Sequence, residues 1–307
     1  MAVQLVVGAG AIGTATALLL AGRGDHVRLV TRSGSGPAHP AIERVAADAS
    51  DADALSRLAE GAAVIYSCAG PAYPRWATDW PPLAASLLRA AETSAALLMT
   101  TGNLYGYGEV DGPMTEDLPL RPNSEKGRVR VRIWNEALEA HRAGRIRTAE
   151  VRGSDYLGAR ALTPLTLLVL PKVVAGKRAS APADLDAPHS WTYTGDVART
   201  LLAVAADADS WGRAWHVPTG PPKSFREVAI RAAELAGAPA PRLSAMPYPV
   251  LWLGGLFNPM ARAVRETQYQ FRRPFVLDSS VATKRFGIQP APLDDALRET
   301  IAEFKPH

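Results

Sequence analysis

The sequence contains a single cysteine, Cys68, among its 307 residues. An internal disulfide and a cysteine-based metal cluster are therefore both excluded. The six histidines show no metal-binding spacing such as H-x-x-x-H, so we interpret them as structural or surface residues. A chain with so little cysteine fits a reducing compartment, and we expect a cytoplasmic location.

Long hydrophobic runs and a strong charge of either sign are also missing. The most apolar late stretches, 162–174 and 247–257, are interrupted by proline and are too short to span a bilayer. The N-terminus enters an apolar run directly, without a basic segment or cleavage site, so we expect no signal peptide. The net charge of +4 is too mild and too dispersed to indicate nucleic acid. It suits a small anionic ligand such as a nucleotide cofactor.

A glycine-rich turn near the N-terminus carries the clearest motif. The apolar run Val3–Val7 predicts a strand, and the Ala- and Leu-rich stretch 14–21 predicts a helix. Between them, glycines permit a tight turn, close approach of the backbone to a pyrophosphate, and close packing of helix on strand. The helix N-terminus then presents free N–H groups to the anion. The predicted cofactor-binding residues of this turn are Gly8, Gly10, Ala11, Ile12 and Gly13.

The second predicted strand, residues 26–31, ends without an acidic residue. NAD-binding folds usually carry Asp or Glu there, which accepts hydrogen bonds from the ribose 2′-hydroxyl. This chain has Arg32 instead, and a guanidinium can bind a 2′-phosphate through two hydrogen bonds. We therefore expect NADP(H) in preference to NAD(H). The alternative is that Arg32 is a solvated surface side chain.

The ends of the next two predicted strands supply further cofactor contacts. Asp48 follows the strand predicted over 42–47 and is placed to accept a hydrogen bond from the adenine amino group. The alternative is that Asp48 caps the next helix. The strand predicted over Ala62–Ser67 is followed closely by Ala69 and Gly70, whose small size lets a cofactor lie against the strand end.

Strand and helix patterns alternate through the first half of the chain, with further strands predicted over 96–101 and 147–151. This alternation predicts an α/β fold with a Rossmann-type doubly wound parallel sheet and right-handed crossovers. We expect an NAD(P)-binding domain over residues 1–160, with 190–218 returning to the sheet. Residues 161–307 are expected to form mainly a smaller C-terminal substrate-binding lobe.

Several motifs follow one another in a characteristic order. They read G-A-G-A-I-G, T-T-G-N-L-Y-G-Y-G, R-G-S-D-Y-L-G and Y-T-G-D-V-A-R, followed late in the chain by F-V-L-D-S-S-V-A-T-K-R-F-G-I. In this order the chain resembles the extended short-chain dehydrogenase/reductase family, the group of NAD-dependent epimerase/dehydratase-like proteins. The resemblance covers nearly the whole chain. It implies a Rossmann domain followed by a C-terminal substrate lobe.

The resemblance implies an atypical member. The family's catalytic Ser/Thr corresponds to Thr101, but its Tyr-x-x-x-Lys pair corresponds to Lys126 and Arg130, without the tyrosine. These two cations share one face of a predicted helix. We expect Lys126 to supply a proton to a substrate oxygen or to stabilise negative charge on it. Arg130 is expected to hold the nicotinamide ribose or the phosphates. The alternative is a basic, solvated helix face.

Other hydroxyl groups complete the predicted site. Tyr105 is the predicted replacement proton donor, and Tyr107 and Tyr156 are further candidates, although each is equally consistent with a half-buried aromatic residue. Ser154, which follows the sixth strand, is assigned to the cofactor-binding residues.

Together these features predict an NADP(H)-dependent oxidoreductase that reduces a carbonyl, enone or imine of a small molecule. An apolar substrate is expected because the later part of the chain contains Trp191, Trp211, Trp215, Trp252 and Phe257. The alternatives are a nucleotide-sugar epimerase or dehydratase and a non-catalytic NADP(H)-sensing protein. We expect no nucleic-acid or membrane partner, and a homodimer is left open as the oligomeric state.

Overall fold

A computed structural model describes residues 3–304, without the side chain of Tyr248. Its centre is a parallel sheet with strand order β3–β2–β1–β4–β5–β6–β10. These strands are β1 (Val3–Val7), β2 (Val27–Thr31), β3 (Ile42–Ala46), β4 (Ala62–Ser67), β5 (Leu97–Asn103), β6 (Arg147–Gly153) and β10 (Ala214–His216). The order reverses between β1 and β4. In open parallel sheets, ligands bind outside the carboxyl ends of the strands at such a reversal.

Helices cover both faces of the sheet. They are α1 (Ala11–Gly22) and α6 (Thr194–Ala205) on one face, and α2 (Ala52–Leu58), α3 (Trp76–Ser94) and α4 (Glu125–Arg142) on the other. Alternate residues of β1 point to opposite layers, so that Val6 packs with α1 and α6 while Leu5 and Val7 pack with α2, α3 and α4. Because both faces are buried, the inner strands are apolar along nearly their whole length.

A second hydrophobic core lies beside the sheet and contains Val173, Phe225 and Leu297. The short strands here pair as β7 (Asp155–Leu157) with β9 (Trp191–Tyr193) and β8 (Ala179–Ala181) with β11 (Leu243–Ala245). The remaining helices are α5 (Leu170–Val174), α7 (Phe225–Ala236), α8 (Tyr248–Phe257), α9 (Pro259–Glu266), α10 (Ser280–Phe286) and α11 (Leu293–Ala302). The division of the chain at residue 160 stays a prediction.

The predicted Rossmann-type sheet is confirmed. Within the stretch expected to return to it, β10 pairs with β6, and Trp215 lies opposite Val151. No helix within residues 3–304 is long and apolar enough to cross a membrane. In the same residues, no group of three or more His, Cys, Asp or Glu side chains is arranged to hold a metal ion.

Candidate active site

The turn between β1 and α1 requires glycine at two positions. Gly8 has a φ of +98°, and a Cβ added there would lie 2.6 Å from the backbone of Ala69. A Cβ on Gly13 would lie 1.9 Å from the Gly8 carbonyl oxygen. Both contacts are far shorter than van der Waals distance, so β1, the turn and α1 can pack this closely only with glycine at both positions.

Gly10 has a different role from the other two glycines. It is the N-cap of α1, it is exposed, and a Cβ added there would meet nothing within 4 Å. No side chain caps this helix, so the N–H groups of its first turn, which begins with Ala11 and Ile12, point to open space. A backbone cradle beside a helix N-terminus fits the diphosphate of a dinucleotide.

A groove of about 630 Å³ opens at this turn, above the reversal of strand order. Six of the predicted cofactor-binding residues line it together, namely Gly8, Gly10, Arg32, Asp48, Ala69 and Gly70. Asp48 does not cap α2, because Asp51 accepts the hydrogen bonds from Asp53 and Ala54 at that helix start. The Asp48 carboxylate instead accepts from the Ser50 backbone N–H at 2.9 Å and stays in the groove.

One ion pair on the groove wall was not predicted from the sequence. Arg75 donates two hydrogen bonds to Asp79, at 2.8 and 2.9 Å, and both residues line the groove. The hydrogen bond from Arg75 lowers the pKa of Asp79, and the charge of Arg32 lowers it further. The spacing of the pair, four residues apart at the start of α3, was the available signal.

Thr101 lies near the carboxyl end of β5, where two of its groups are engaged. Its hydroxyl donates to the Ser67 carbonyl at 2.9 Å, and its own carbonyl accepts from Arg130 Nη2 at 2.5 Å. The hydroxyl oxygen can still accept a hydrogen bond. Arg130 is thus directed toward the strand end, and no contact with a cofactor is required to hold it there.

Lys126 is buried, so the interpretation of α4 as a wholly solvated basic face is wrong at this position. The residue is 5% exposed, and its Nζ lies 2.6 Å from Glu266 Oε2. The second oxygen of Glu266 accepts from the backbone N–H of Lys126, also at 2.6 Å. Glu266 ends α9, 140 residues later in the chain. The solvated side of α4 carries Arg132, which forms an exposed ion pair with Glu136.

The predicted proton donor Tyr105 belongs to a buried tyrosine cluster. Its hydroxyl lies 3.2 Å from that of Tyr73, which in turn lies 2.7 Å from Thr267 Oγ1. Burial raises the pKa of Tyr73 to about 12 and raises the pKa of Tyr105 well above its ordinary value. Both phenols are neutral at pH 7, and the Lys126 ammonium lies 4.7 Å from the Tyr73 ring centre. The tyrosines are therefore better placed as hydrogen-bond donors than as bases.

A buried chain of polar groups runs behind the site. Arg130 lies 3.1 Å from one oxygen of Glu150, and Arg152 Nε lies 2.8 Å from the other. Arg152 also donates to Tyr107, whose hydroxyl lies 2.8 Å from His216 Nε2. A Cβ on Gly102 would lie 2.6 Å from the Glu150 carboxylate, so glycine there makes room for the chain. The Tyr107 hydroxyl is therefore already hydrogen-bonded within the protein, to Arg152 and His216.

Four buried polar atoms near the tyrosines have no protein partner. They are Ser154 Oγ, Gln268 Oε1, Tyr269 Oη and Gln270 Oε1. The last three come from the segment that directly follows α9, and Ser154 follows β6. Burial raises the pKa of Tyr269, and the nearby Tyr73 adds to this effect, so its hydroxyl stays protonated. Buried polar atoms normally have partners, so these atoms have hydrogen-bonding capacity that the protein does not use.

The aromatic residues expected to line an apolar substrate pocket lie elsewhere. Trp215 is buried between the central sheet and the helices α1 and α6, and Trp191 is buried in the second core. Trp211 packs at the edge of the same layer as Trp215, with the Arg147 guanidinium over its ring. Trp252 and Phe257 are 44% and 89% exposed on α8. The expectation of an apolar pocket built from these five rings is not supported.

The family of the chain follows from a direct match. The model of the NAD-dependent epimerase/dehydratase family matches residues 4–217, which contain the glycine turn, Thr101 and Lys126 and reach from β1 to the end of β10. The chain belongs to this family. No curated protein sequence gives a significant match.

Solved structures of similar fold agree with this membership. WbmH of Bordetella bronchiseptica in complex with NAD+ is 20% identical, with a TM-score of 0.76 over 99% of this chain and 98% of that chain. UDP-glucuronic acid 4-epimerase of Bacillus cereus in complex with NAD is 18% identical, with a TM-score of 0.78 over 99% and 100%. The UDP-glucose 4-epimerase of Thermus thermophilus in complex with NAD is 19% identical, with a TM-score of 0.78 over 98% of both chains.

The expected preference for NADP(H) is wrong, because these similar structures hold NAD. The geometry at Arg32 gives the physical reason. Its side chain is exposed, and its positive charge acts on Asp79 across the groove wall. A cation after the second strand therefore does not make a 2′-phosphate site by itself, because the attraction of an exposed guanidinium for a phosphate is screened by water and salt.

Proposed function

We propose that the protein is an NAD-dependent enzyme of the epimerase/dehydratase type that acts on a hydroxyl-rich substrate of the nucleotide-sugar class. The observation that carries the substrate class is the group of unpartnered buried polar atoms of Ser154, Gln268, Tyr269 and Gln270. Leaving one such atom unsatisfied costs about 1–3 kcal/mol. The hydroxyls of a sugar would satisfy several at once, whereas an apolar carbonyl compound would satisfy few.

The groove supports the choice of cofactor. The diphosphate would lie on the N–H groups after Gly10, the adenosine half would lie toward Asp48, and Ala69 and Gly70 would flank it. When bound, NAD supplies a hydride acceptor and donor for one carbon of the substrate. Side chains at the end of β5 and the start of α4 would orient the substrate and move its proton.

The pair of Lys126 and Glu266 takes the place of the missing tyrosine in this proposal. When the substrate hydroxyl is oxidised, Lys126 would take up its proton while passing one of its own protons to the Glu266 carboxylate 2.6 Å away. The reverse transfer would return the proton when the substrate oxygen is reduced. Thr101 would orient the same oxygen by turning its hydroxyl from the Ser67 carbonyl to donate to it, and Tyr105 would donate a further hydrogen bond.

The experiment is to incubate the purified protein and NAD with UDP-glucose, UDP-glucuronic acid and dTDP-glucose, and to detect products by NMR. A small apolar ketone with NADH serves as the comparison substrate. We expect conversion of at least one nucleotide sugar. Conversion of the ketone alone would overturn the substrate class. Tight NAD binding with no conversion of any compound would instead favour the non-catalytic sensor.

Replacement of Lys126 tests the proposed proton group. Lys126→Met should lower turnover of the converted sugar by roughly a hundredfold, the usual scale for loss of an acid–base group. NAD affinity, measured by fluorescence titration, should stay within about twofold. Arg132→Met on the exposed side of the same helix is the matched control and should leave both quantities unchanged. Unchanged turnover in Lys126→Met would remove this lysine from the mechanism.

A further inference from the structure

Arg160 has an unusual backbone conformation for a residue with a side chain. Its φ is +60°, and within residues 3–304 the other non-glycine residue with positive φ is Ala95. The left-handed conformation is unfavourable for L-residues, because Cβ comes too close to the following carbonyl oxygen, and glycine avoids this strain. A residue held in such a conformation is a reason to ask what its side chain does.

The loop that carries Arg160 is held from outside by α11. The backbone N–H of Gly158 donates to Thr300 Oγ1 at 2.8 Å, and that of Ala159 donates to Glu299 at 3.2 Å. Gly158 itself has a φ of +122°. These contacts with α11 fix the path of the loop. They therefore also set the direction in which the Arg160 side chain leaves it.

The side chain of Arg160 reaches back to the glycine turn. Its Nη1 lies 3.5 Å from Thr14 Oγ1, across 146 residues of sequence. Thr14 is in α1, and its backbone N–H donates to the Gly10 carbonyl at 2.9 Å, so the residue that Arg160 contacts lies about one helical turn from the first free N–H groups. The residue is exposed, and its described contacts include no carboxylate within ion-pair distance.

We propose that Arg160 binds the diphosphate of NAD and so closes the groove from the side of the second core. A guanidinium can bind two phosphate oxygens at once, and the long, single contact with Thr14 is easily exchanged for such a pair. The inference rests on the proposed binding of NAD. It adds the positively charged Arg160 side chain to the backbone N–H groups at the start of α1. Arg160 occupies a position where glycine would be less strained.

The experiment compares NAD affinity and thermal stability in matched variants. Arg160→Gly removes the guanidinium and relieves the left-handed backbone, so the melting temperature of the free protein should stay the same or rise. Its Kd for NAD, measured by calorimetry, should rise about tenfold or more. Arg160→Lys should show a smaller increase. Ala95→Gly makes the same backbone change at the end of α3 and should leave the Kd within about twofold.

Two smaller probes locate the effect within the cofactor. ADP contains the diphosphate and should lose affinity in Arg160→Gly about as much as NAD does, whereas adenosine should be affected little. Equal NAD affinity of wild type and Arg160→Gly would overturn the role of Arg160 and leave the proposed function intact. Equal losses for ADP and adenosine would also overturn it, because the effect would then lie at the adenosine. Absence of NAD binding to the wild type would instead contradict the proposed function.

Discussion

The two halves of the candidate site are built in different ways. The cofactor half is made mainly of backbone, since Gly8, Gly10 and Gly13 and the start of α1 lie within six residues of sequence, with the Arg160 guanidinium proposed as an added contact. The catalytic half is made of side chains that meet across the molecule, as Lys126 and Glu266 do across 140 residues. The first half depends mainly on the conformation of the glycine turn, which packs against Ala69. The second exists only when the C-terminal part of the chain is packed in place.

Substitutions in the two halves are expected to affect stability and cofactor binding in different ways. A substitution at Gly8 or Gly13 displaces the backbone itself, so it removes cofactor binding and stability together, whereas a substitution at Gly10 obstructs only the cofactor. A substitution in the catalytic half leaves the backbone in place and exposes an unpaired charge or an empty hydrogen-bonding position. The following predictions separate these two kinds of failure.

The largest effect is expected at the glycine turn. Gly13→Ala places a Cβ 1.9 Å from the Gly8 carbonyl, which forces β1 and α1 apart. We expect a loss of unfolding free energy on the order of 3 kcal/mol and loss of NAD binding. Gly10→Ala meets nothing within 4 Å in the free protein, so it should unfold like the wild type in urea yet bind NAD poorly. Equal stability of Gly13→Ala and wild type would contradict the packing account.

The next largest effect is expected at the Lys126 pair. Glu266→Gln leaves the buried ammonium without its carboxylate, and we expect a loss of about 2 kcal/mol in unfolding free energy. This is below the cost for a fully buried pair, because Glu266 is 23% exposed in its side chain. The double variant with Lys126→Met should recover part of the loss in urea titrations. Simple addition of the two single losses would show that the residues do not interact.

A smaller effect is expected from His216, behind the site. Burial lowers the pKa of His216 to about 4, against an ordinary 6.5, and its ring lies between Tyr107 and the Asp278 carbonyl. The folded state therefore holds the neutral ring, so the unfolding free energy is highest above pH 6.5 and falls progressively as the pH is lowered from 6.5 to about 4. From pH 7.5 to 5.5 the group should cost roughly 1 kcal/mol of unfolding free energy.

Urea titrations at these two pH values test this prediction. His216→Gln has no titrating ring, so its loss between pH 7.5 and 5.5 should be smaller than that of the wild type. The exposed His39→Gln should behave as the wild type does. If His216→Gln were as sensitive to acid as the wild type, the buried ring would not be the source of the sensitivity.

The smallest effect is expected at Arg32, which belongs to the cofactor half but acts through a side chain. Because it is exposed and lies near Asp79, Arg32→Ala should change the Kd for NAD by less than about threefold. Calorimetric titration measures this directly. A loss as large as that of Gly10→Ala would show that the Arg32 guanidinium is a major contact for NAD, and would contradict the small role assigned to it here.

The fold and the cofactor half of the site could be predicted from the sequence to a greater extent than the catalytic half. The glycine turn, the parallel strands and the place of Thr101 were predicted because each depends on residues close in sequence, and the Rossmann-type sheet is confirmed. Glu266 could not be predicted as the partner of Lys126, because nothing in the sequence indicates which acid of the last third of the chain meets α4. The unpartnered atoms of Gln268 and Gln270 depend on packing in the same way.

Two errors show where local reasoning failed. Arg32 was assigned to a 2′-phosphate from its residue type and its place after the second strand, and its exposure at the groove could not be read from the sequence. The tryptophans were assigned to a substrate pocket on residue type alone. Large aromatic side chains are commonly used to fill hydrophobic cores, as Trp191 and Trp215 do here.

The most direct test of the central claim is a calorimetric titration of NAD into wild type, Gly10→Ala and Lys126→Met. If the two halves of the site are separable, the wild type and Lys126→Met should bind NAD with the same affinity within about twofold, and Gly10→Ala should lose at least tenfold. Binding lost in Lys126→Met, or retained in Gly10→Ala, would contradict the division of the site into a backbone cradle for the cofactor and a separate pair of side chains for the proton.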